Sequence, residues 1–273
     1  MSALPGEAAL PKVAVVLVEP AGPRNVGGVA RAIANFDGDP LQLELRLVAP
    51  RCDHLGEEAR HMAVHAAPLL EQARTFASLA EALADCGRIV ATSGRGEGEP
   101  MPPQEPDRAL AWLLGAPAQA PTAVVFGRED RGLSRDELLM AGRLLTIETG
   151  PTYGSLNLAQ AAAVVLQRLR VQATALSQGY APAAITAATQ AAPAPIQGEP
   201  ARRQGLEDLL ADAEDLLLEV GFLHSHTAHA RMAKVRGLLQ RGQIDDGEVA
   251  LLRGMVRQLR WASRRVPPGG ETP

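Results

Sequence analysis

The stretch that decides the fold of this 273-residue chain is IETGPTYGSLNLAQAAAVVLQRLR, residues 147–170. It begins at the end of a short apolar strand, passes through a loop of Gly, Pro and Tyr, and then enters a long alanine-rich helix. Ser155 and Asn157 lie where the helix is expected to start, so their side chains share a small space with the unpaired N–H groups of its first turn. Such a junction can hold a polar ligand against backbone donors. Helix capping alone would also explain both residues.

Composition limits the class of protein. Hydrophobic residues make up 46% and charged residues 21%, which is typical of a soluble globular chain. No apolar run approaches the roughly 18–20 residues of a membrane span, and the first residues do not have the pattern of a secretory signal. Cys52 and Cys86 are far apart, which predicts free thiols in a reducing compartment and hence a cytoplasmic protein.

Apolar, β-branched segments alternate with helical patterns over the first 170 residues. The predicted strands are 12–19, 42–49, 88–92, 122–126 and 144–148. Helices are predicted after an N-cap at Asn25, over 57–64, 78–84 and 107–114, and after a capping box formed by Ser134 and Glu137. This alternation predicts an α/β fold, a parallel sheet flanked by helices, with a ligand site at the carboxyl ends of the strands.

The C-terminal part has a different composition. Residues 173–205 are rich in Ala, Pro, Gln and Gly, which predicts a linker. Three helices should follow: one ending at Gly221, a shorter one around 232–239, and one capped by Asp245 and Glu248. Residues 206–222 hold six acids and no Lys or Arg, whereas 223–265 hold nine Lys or Arg against three acids, a net charge of +6. The basic segment is either a solvated helix surface or a surface that contacts phosphates.

Three polar blocks follow predicted strands: NVGGVAR at 25–31, FGREDRGL at 126–133 and SLNLAQA at 155–161. The first is not a dinucleotide-binding loop, because it lacks G-x-G-x-x-G and no acidic residue follows a second strand. Together, and in this order, the blocks resemble the SPOUT superfamily of RNA methyltransferases in its SpoU/TrmH-like 2′-O-methyltransferase branch. The matching positions are Asn25, Gly27, Arg31, Phe126, Gly127, Glu129, Gly132, Leu133, Ser155, Leu156, Asn157 and Ala159.

The resemblance implies a C-terminal deep trefoil knot in the α/β domain, a homodimer, and S-adenosylmethionine as methyl donor. The C-terminal segment, with its G-F-L turn and an E-V-x-x-L-R-G sequence at 248–254, looks like the TrmJ-like branch. That branch methylates the 2′-hydroxyl of cytidine or uridine at the first nucleotide of the tRNA anticodon loop. We therefore expect a methyltransferase domain at 1–174, a linker at 175–205, a tRNA-binding helical extension at 206–265 and a disordered tail at 266–273.

The resemblance also assigns roles. Arg31 is expected to stay charged, bind the adjacent phosphate and stabilise the developing alkoxide, because a guanidinium is not normally deprotonated. Asn25 and Glu129 would orient Arg31 and the ribose, and Ser155 and Asn157 would position the hydroxyl or the amino-acid end of the cofactor. Gly127, Ile147 and Leu156 would line the adenosine pocket, with Thr92, Ser93 and Gly94 as a further cofactor contact.

Other functions remain open from the residues alone. They are a 2′-O-methyltransferase acting on ribosomal RNA, a non-catalytic RNA-binding protein on the same fold, and a nucleotide-dependent α/β enzyme. No metal is expected. His224, His226 and His229 have no Cys or acidic ligand beside them, so a polar turn before a helix is preferred to a metal site.

Overall fold

The computed structural model describes residues 9–94, 99–152, 154–180, 200–242 and 244–264. The chain divides into two compact units, Met1–Pro195 and Ile196–Pro273. Both cysteines are free thiols, as predicted. No helix in the described ranges is long and apolar enough to cross a membrane, and the cytoplasmic location stays a prediction.

The first unit is built on a six-stranded parallel sheet. Its strands are β1 (Val13–Val18), β2 (Leu43–Val48), β3 (Arg74–Phe76), β4 (Arg88–Thr92), β5 (Thr122–Phe126) and β6 (Arg143–Leu145), in the spatial order β3-β2-β1-β5-β4-β6. All neighbouring strands pair in parallel. The central strands β1 and β5 are buried along their whole length, as expected for strands covered by helices on both faces. The predicted parallel sheet flanked by helices is confirmed.

Seven helices accompany these strands in the described part of the first unit. They are α1 (Pro23–Phe36), α2 (Glu57–Ala63), α3 (Ala67–Glu71), α4 (Leu79–Ala82), α5 (Pro106–Leu114), α6 (Arg135–Leu138) and α7 (Leu158–Ser177). Apolar residues of α1, α5 and α7 pack on one face of the sheet. Those of α4 and α6 pack on the other. The capping box of Ser134 and Glu137 is present at the start of α6, as predicted.

Details of the first unit differ from the sequence prediction. Asn25 is not an N-cap, because α1 begins two residues earlier at Pro23, whose fixed φ and missing N–H suit the first helical position. Strand β3 was not predicted, since three residues at the sheet edge are too few to give a periodic signal. The last strand is Arg143–Leu145 and not 144–148, because the chain leaves the sheet after Leu145.

The second unit consists of α8 (Arg203–Glu219), α9 (Ser225–Gly242) and α10 (Asp246–Ser263) in its described residues. Gly221 adopts a φ of +76° just after α8, and a capping box of Asp245 and Glu248 begins α10, as predicted. Helix α9 has 18 residues and is not the short helix predicted. Its first turn is polar and shows no apolar helical pattern, so the sequence did not reveal where the helix begins.

The opposite charges of the second unit meet each other in space. Asp212 of α8 pairs with Arg253 at 3.1 Å, Glu219 pairs with Arg264 at 3.0 Å, and Glu207 pairs with Arg236 at 2.9 Å. Much of the positive charge of residues 223–265 is therefore compensated inside the unit.

The predicted linker falls largely on residues 181–199, which lie outside the described residues. At its N-terminal side, α7 continues to Ser177, so the first residues of the predicted linker are helical. At its C-terminal side, α8 begins at Arg203.

Candidate active site

A cavity of about 320 Å³ lies at the carboxyl ends of the strands. Three segments form most of its wall: the end of β4, the loop after β5, and the loop between β6 and α7. The predicted cofactor residues that line it are Thr92, Ser93, Gly94, Gly127, Ile147, Ser155 and Leu156. Asn157 lies in an adjoining open groove, which shares Glu129 and Ser155 with the cavity. The structure thus gathers the sequence-predicted residues around one space, and their roles in binding stay predictions.

The apolar part of the wall was predicted only at Ile147 and Leu156. Leu138, Leu145 and Leu158 also line the cavity beside the polar residues. In the sequence these three are indistinguishable from ordinary core leucines, because only the path of the backbone exposes one side of each to the cavity. An apolar lining with a few polar groups is typical of small-molecule sites.

A tight turn after β5 shapes one wall. Gly132 has a φ of +70° and its N–H donates to the carbonyl of Arg128 at 2.9 Å. A Cβ on Gly127 would lie 2.3 Å from the backbone of Gly132 and Leu133. Glycine at position 127 is therefore required because the two arms of the turn press together there.

The glycines of the first block serve helix packing. A Cβ on Gly27 would lie 2.2 Å from the carbonyl oxygen of Ala59, and one on Gly28 would lie 2.9 Å from the Cβ of Ala159. Helix α1 can approach α2 and α7 closely because both positions lack a side chain. The second approach brings Asn25 next to the start of α7.

Asn25, Glu129 and Asn157 form one hydrogen-bond network. The Asn25 amide donates to Glu129 Oε1 at 2.9 Å, and the Asn157 amide donates to Asn25 Oδ1 at 2.9 Å. Glu129 also accepts from the backbone N–H groups of Ala21 and Gly22, at 3.1 and 3.0 Å. The three blocks found in the sequence therefore meet through direct contacts between their side chains.

Asn157 also caps α7. Its Oδ1 accepts from the N–H of Ala159 at 2.9 Å, while its own N–H donates to the Gln160 side chain at 3.3 Å. The predicted helix cap is confirmed at Asn157, which also belongs to the network, and the binding of a polar ligand at this junction stays a prediction. No hydrogen bond of the Ser155 side chain is found in the described ranges, which leaves its hydroxyl available at the cavity wall.

The electrostatics of Glu129 follow from these bonds. Burial raises the pKa of Glu129, but the hydrogen bonds from Asn25, the backbone of Ala21 and Gly22, and its own N–H outweigh that effect and hold the pKa below its ordinary value of 4.5. The carboxylate is therefore charged throughout the neutral pH range and accepts hydrogen bonds only.

Arg31 is exposed on α1. In the part of the chain that the structure describes, no hydrogen bond or ion pair joins it to Asn25 or Glu129. Arg31 lies six positions after Asn25 in the helix. This spacing corresponds to about 9 Å along the helix axis and about 120° around that axis. Within one chain, the network and Arg31 are separate features of α1.

The described residues hold no group of three or more His, Cys, Asp or Glu that could bind a metal ion. The rings of His224 and His226 stack, with centroids 5.9 Å apart.

An open parallel sheet with a partly apolar cavity at its carboxyl edge, closed by a glycine turn and a helix start, defines a ligand-binding α/β protein. The chain belongs to the SpoU rRNA Methylase family, whose model matches residues 12–167, and it is therefore a methyltransferase. A second match covers residues 204–267 and corresponds to the C-terminal domain of the tRNA methyltransferase TrmJ.

Individual relatives agree with both matches. The chain is 32% identical to the tRNA (cytidine/uridine-2′-O-)-methyltransferase TrmJ of Cronobacter sakazakii over 94% of this chain and 100% of that protein. It is also 32% identical to the TrmJ of Klebsiella pneumoniae over 92% of this chain and 97% of that protein. The crystal structure of TrmJ from Z. mobilis ZM4 superposes on this chain with a TM-score of 0.74 at 29% identity. The match covers 92% of this chain and 99% of that one.

Proposed function

We propose that this protein transfers a methyl group from S-adenosylmethionine to the ribose 2′-hydroxyl of a cytidine or uridine at the first nucleotide of the tRNA anticodon loop. One observation carries the proposal: a SpoU methylase domain and a TrmJ-type C-terminal domain occur in a single chain. Relatives that match this chain along nearly their whole length are named tRNA (cytidine/uridine-2′-O-)-methyltransferases.

The cavity has the chemistry that this methyl donor requires. Its volume of about 320 Å³ lies in the range of small-molecule pockets. The leucines of its wall suit an adenine ring, and the hydroxyl of Ser155 and the backbone of the glycine turn supply polar contacts. Apart from the neighbouring residues in the chain, no atom of the described residues lies within 4 Å of a Cβ placed on Gly94 or Gly154, two lining residues. The bound donor would supply an electrophilic methyl group.

Arg31 is the residue we assign to the ribose. It is exposed on α1 and carries a guanidinium group, whose planar fork of donors suits a phosphate. We propose that it binds the phosphate beside the reacting ribose and stabilises the negative charge that develops on the 2′-oxygen. Its separation from Asn25 supports an arrangement in which Arg31 of one chain acts at the cavity of the other.

The Asn25–Glu129–Asn157 network would position the reacting groups. Because Glu129 holds Asn25 and Asn25 holds Asn157, the first turn of α7 is fixed relative to the glycine turn. Ser155 lies at the wall of both the cavity and the groove. We propose that this rigidity aligns the 2′-hydroxyl with the methyl group, since alignment supplies much of the rate of such a transfer.

We further propose that the chain is threaded into a trefoil knot. Strand β6 pairs with β4 on one side, and on its other side Leu144 accepts from the N–H of Gln104 at 2.9 Å while Thr146 donates to the carbonyl of Gln104 at 3.1 Å. β6 therefore lies between two segments that are consecutive in the sequence. General rules of chain connection exclude such threading, so strand periodicity could not have predicted it.

A homodimer is proposed from the outer face of α7. Val164 and Val171 are 37% and 56% exposed on this face. The buried residues of the same helix lie on a different face. Val164 and Arg168 line the groove that adjoins the cavity. A second copy covering this face would bury the valines and bring its own Arg31 toward the cavity.

The second unit is proposed to bind tRNA. After the pairing of α8 with α10, exposed cations without an acidic partner in the described residues remain on α9 at Arg231 and Lys234, and on α10 at Arg257. We propose that these residues, and not the paired arginines, contact phosphates.

The experiment that tests the function is mapping of ribose methylation in tRNA and ribosomal RNA from a deletion strain by mass spectrometry. Loss of a methyl group at the first anticodon-loop nucleotide supports the proposal. The family name favours ribosomal RNA as the second candidate, and loss of a ribosomal methyl group with all anticodon-loop methyl groups retained would establish that candidate instead.

Arg31→Ala tests the mechanism. We expect methyl transfer to fall below detection while calorimetric affinity for S-adenosylmethionine changes less than about threefold, because Arg31 is not a cavity-lining residue. Activity close to that of the wild type would exclude the assigned role of Arg31, and binding without any transfer by the wild type on any RNA would favour the non-catalytic alternative.

A further inference from the structure

Three arginines surround one carboxylate at the edge of the cavity. We call Glu19, Arg51, Arg128 and Arg131 the Glu19 cluster. Arg128 Nη1 lies 2.9 Å from Glu19 Oε2. Nη1 of Arg51 and Nη2 of Arg131 each lie 3.9 Å from an oxygen of the same carboxylate. Residues that follow β1, β2 and β5 are thus brought together at the carboxyl edge of the sheet.

The backbone that carries this cluster is strained. Glu19 and Ala49 have φ values of +44° and +41°, although neither is glycine. They occupy equivalent places, because Val18 and Val48 are paired and each is followed by one of the two residues. A left-handed non-glycine residue costs on the order of 1 kcal/mol and is found where the surrounding structure requires it, often beside a functional site.

The three arginines differ in how firmly they are held. Arg128 makes two hydrogen bonds to Asp130, at 2.9 and 2.6 Å, in addition to its bond to Glu19. Among the described residues, the side chain of Arg131 has only long ionic contacts, 3.9 Å to Glu19 and 3.8 Å to Glu137, and that of Arg51 has only its contact of 3.9 Å. Their side chains are 38% and 53% exposed. A guanidinium has five N–H donors, so Arg51 and Arg131 retain donors for a ligand.

We propose that Arg51 and Arg131 form a binding site for a phosphodiester of the RNA, with Arg128 fixing the Glu19 carboxylate that lies beside both arginines. The proposal rests on the function proposed above, because it names a contact of the RNA at the same active site. Arginine suits a phosphate, since its planar fork can donate two parallel hydrogen bonds to two oxygens. A bound phosphate would replace long contacts to Glu19 by short, charge-assisted ones.

The positions of the two arginines favour a phosphate of the RNA as the ligand over the carboxylate of the methyl donor. Arg131 lines the cavity and Arg51 does not. An anion that contacts both must therefore lie at the rim of the cavity, where the RNA enters. The carboxylate of S-adenosylmethionine has related chemistry, but a ligand held within the cavity would reach Arg131 alone.

The test uses the full-length protein and the RNA that the wild type methylates. Initial rates are measured against RNA concentration for Arg51→Ala and Arg131→Ala, together with calorimetric affinity for S-adenosylmethionine and fluorescence anisotropy of RNA binding at several salt concentrations. Each substitution should raise KM for RNA about tenfold, as expected for loss of a charge-assisted hydrogen bond. The slope of log affinity against log salt should fall by about one. Affinity for S-adenosylmethionine should stay unchanged in Arg51→Ala, because Arg51 does not line the cavity.

Arg60→Ala is the matched control, because Arg60 is 46% exposed and pairs with Glu71 at 2.8 Å but does not line the cavity. Arg131→Lys should fall between the wild type and Arg131→Ala, since it keeps the charge and loses the fork. Thermal melting identifies any variant that fails to fold, and either alanine variant alone then decides the question.

Two results would overturn the proposal. One is a rise in KM for RNA no greater than that of Arg60→Ala. The other is weakened binding of S-adenosylmethionine in Arg51→Ala, which would assign the arginines to the methyl donor. A ribosomal substrate would disprove the proposed tRNA target without affecting this test, because the assay uses whichever RNA is methylated.

Discussion

At the scale of single residues, Asn25 connects segments that lie far apart in the sequence. Its side chain bonds to Glu129, 104 positions away, and to Asn157, 132 positions away. An amide suits this place because it donates to one neighbour and accepts from the other. A carboxylate of the same size could not donate to Glu129.

Asn25→Asp should therefore break the network while preserving side-chain volume. A second carboxylate beside Glu129 raises the pKa of Glu129 by repulsion, so that its charge is lost at a higher pH than in the wild type. In the wild type the pKa of Glu129 lies below its ordinary value of 4.5, so the carboxylate loses its charge only when the pH falls through that lower pKa. We expect methyl transfer at neutral pH to fall about 100-fold.

Asn35→Asp is the control for this variant, because Asn35 is exposed on the same helix. Affinity for S-adenosylmethionine should change little in either variant, since neither residue lines the cavity. Equal rates for the two variants would mean that the network has no part in the transfer.

At the scale of elements, the turn after β5 is fixed by close contact of its own backbone. The atoms that would collide with a Cβ on Gly127 belong to Gly132 and Leu133, in the same turn. The turn thus decides where Glu129 stands relative to α1. In helix α1, by contrast, the glycines at positions 27 and 28 allow contact with other helices.

Gly127→Ala should force the arms of this turn apart. Overpacking of this kind costs about 1–3 kcal/mol, which corresponds to a fall in Tm of roughly 3–10 °C for a domain of this size. Gly150→Ala provides the comparison, because a Cβ there meets no atom of the described residues within 4 Å beyond its neighbours in the chain. Both are compared by calorimetric melting, and a Tm for Gly127→Ala within a degree of that for Gly150→Ala would show that the turn adapts at little cost.

The helices of the second unit provide a prediction about charge. Arg231→Ala combined with Lys234→Ala should weaken RNA binding and lower the salt slope by roughly one to two, because two unpaired cations of α9 are removed. Arg253→Ala removes a cation that pairs with Asp212, so it should leave the slope unchanged. Anisotropy titrations across a salt series measure both, and the reverse order of effects would assign RNA binding to α10.

At the scale of the whole molecule, the proposed dimer would complete the active site. The groove beside the cavity includes Val164 and Arg168 of α7 as well as Glu129 and Ser155 of the site. The same surface forms part of the groove and part of the exposed face of α7. Subunit association would therefore act directly on catalysis. Loss of the dimer should therefore remove activity without removing the cavity.

Val164→Glu should convert the protein to a monomer, because it places a charge on an apolar face that the second copy would cover. Multi-angle light scattering would report the mass, and calorimetry would show retained binding of S-adenosylmethionine with methyl transfer reduced at least tenfold. Thr75→Glu adds the same charge at an exposed, similarly branched residue on the edge strand β3 and should leave the mass unchanged. A Val164→Glu protein that stays dimeric would place the subunit contact elsewhere.

The sequence by itself determined the features that depend on near neighbours. The buried strands β1 and β5, the capping boxes at Ser134 and Asp245, and the order of the three blocks could be read directly, because periodicity and capping involve residues within a few positions of each other. Only the tertiary structure decided that Asn25 bonds to Glu129 and not to its own helix, and that Glu19 gathers three arginines. It also decided that β6 lies between β4 and Gln104 and that the acids of α8 neutralise arginines of α10. These contacts join residues dozens to more than 100 positions apart, and they depend on how the chain is connected in space, which no local pattern records.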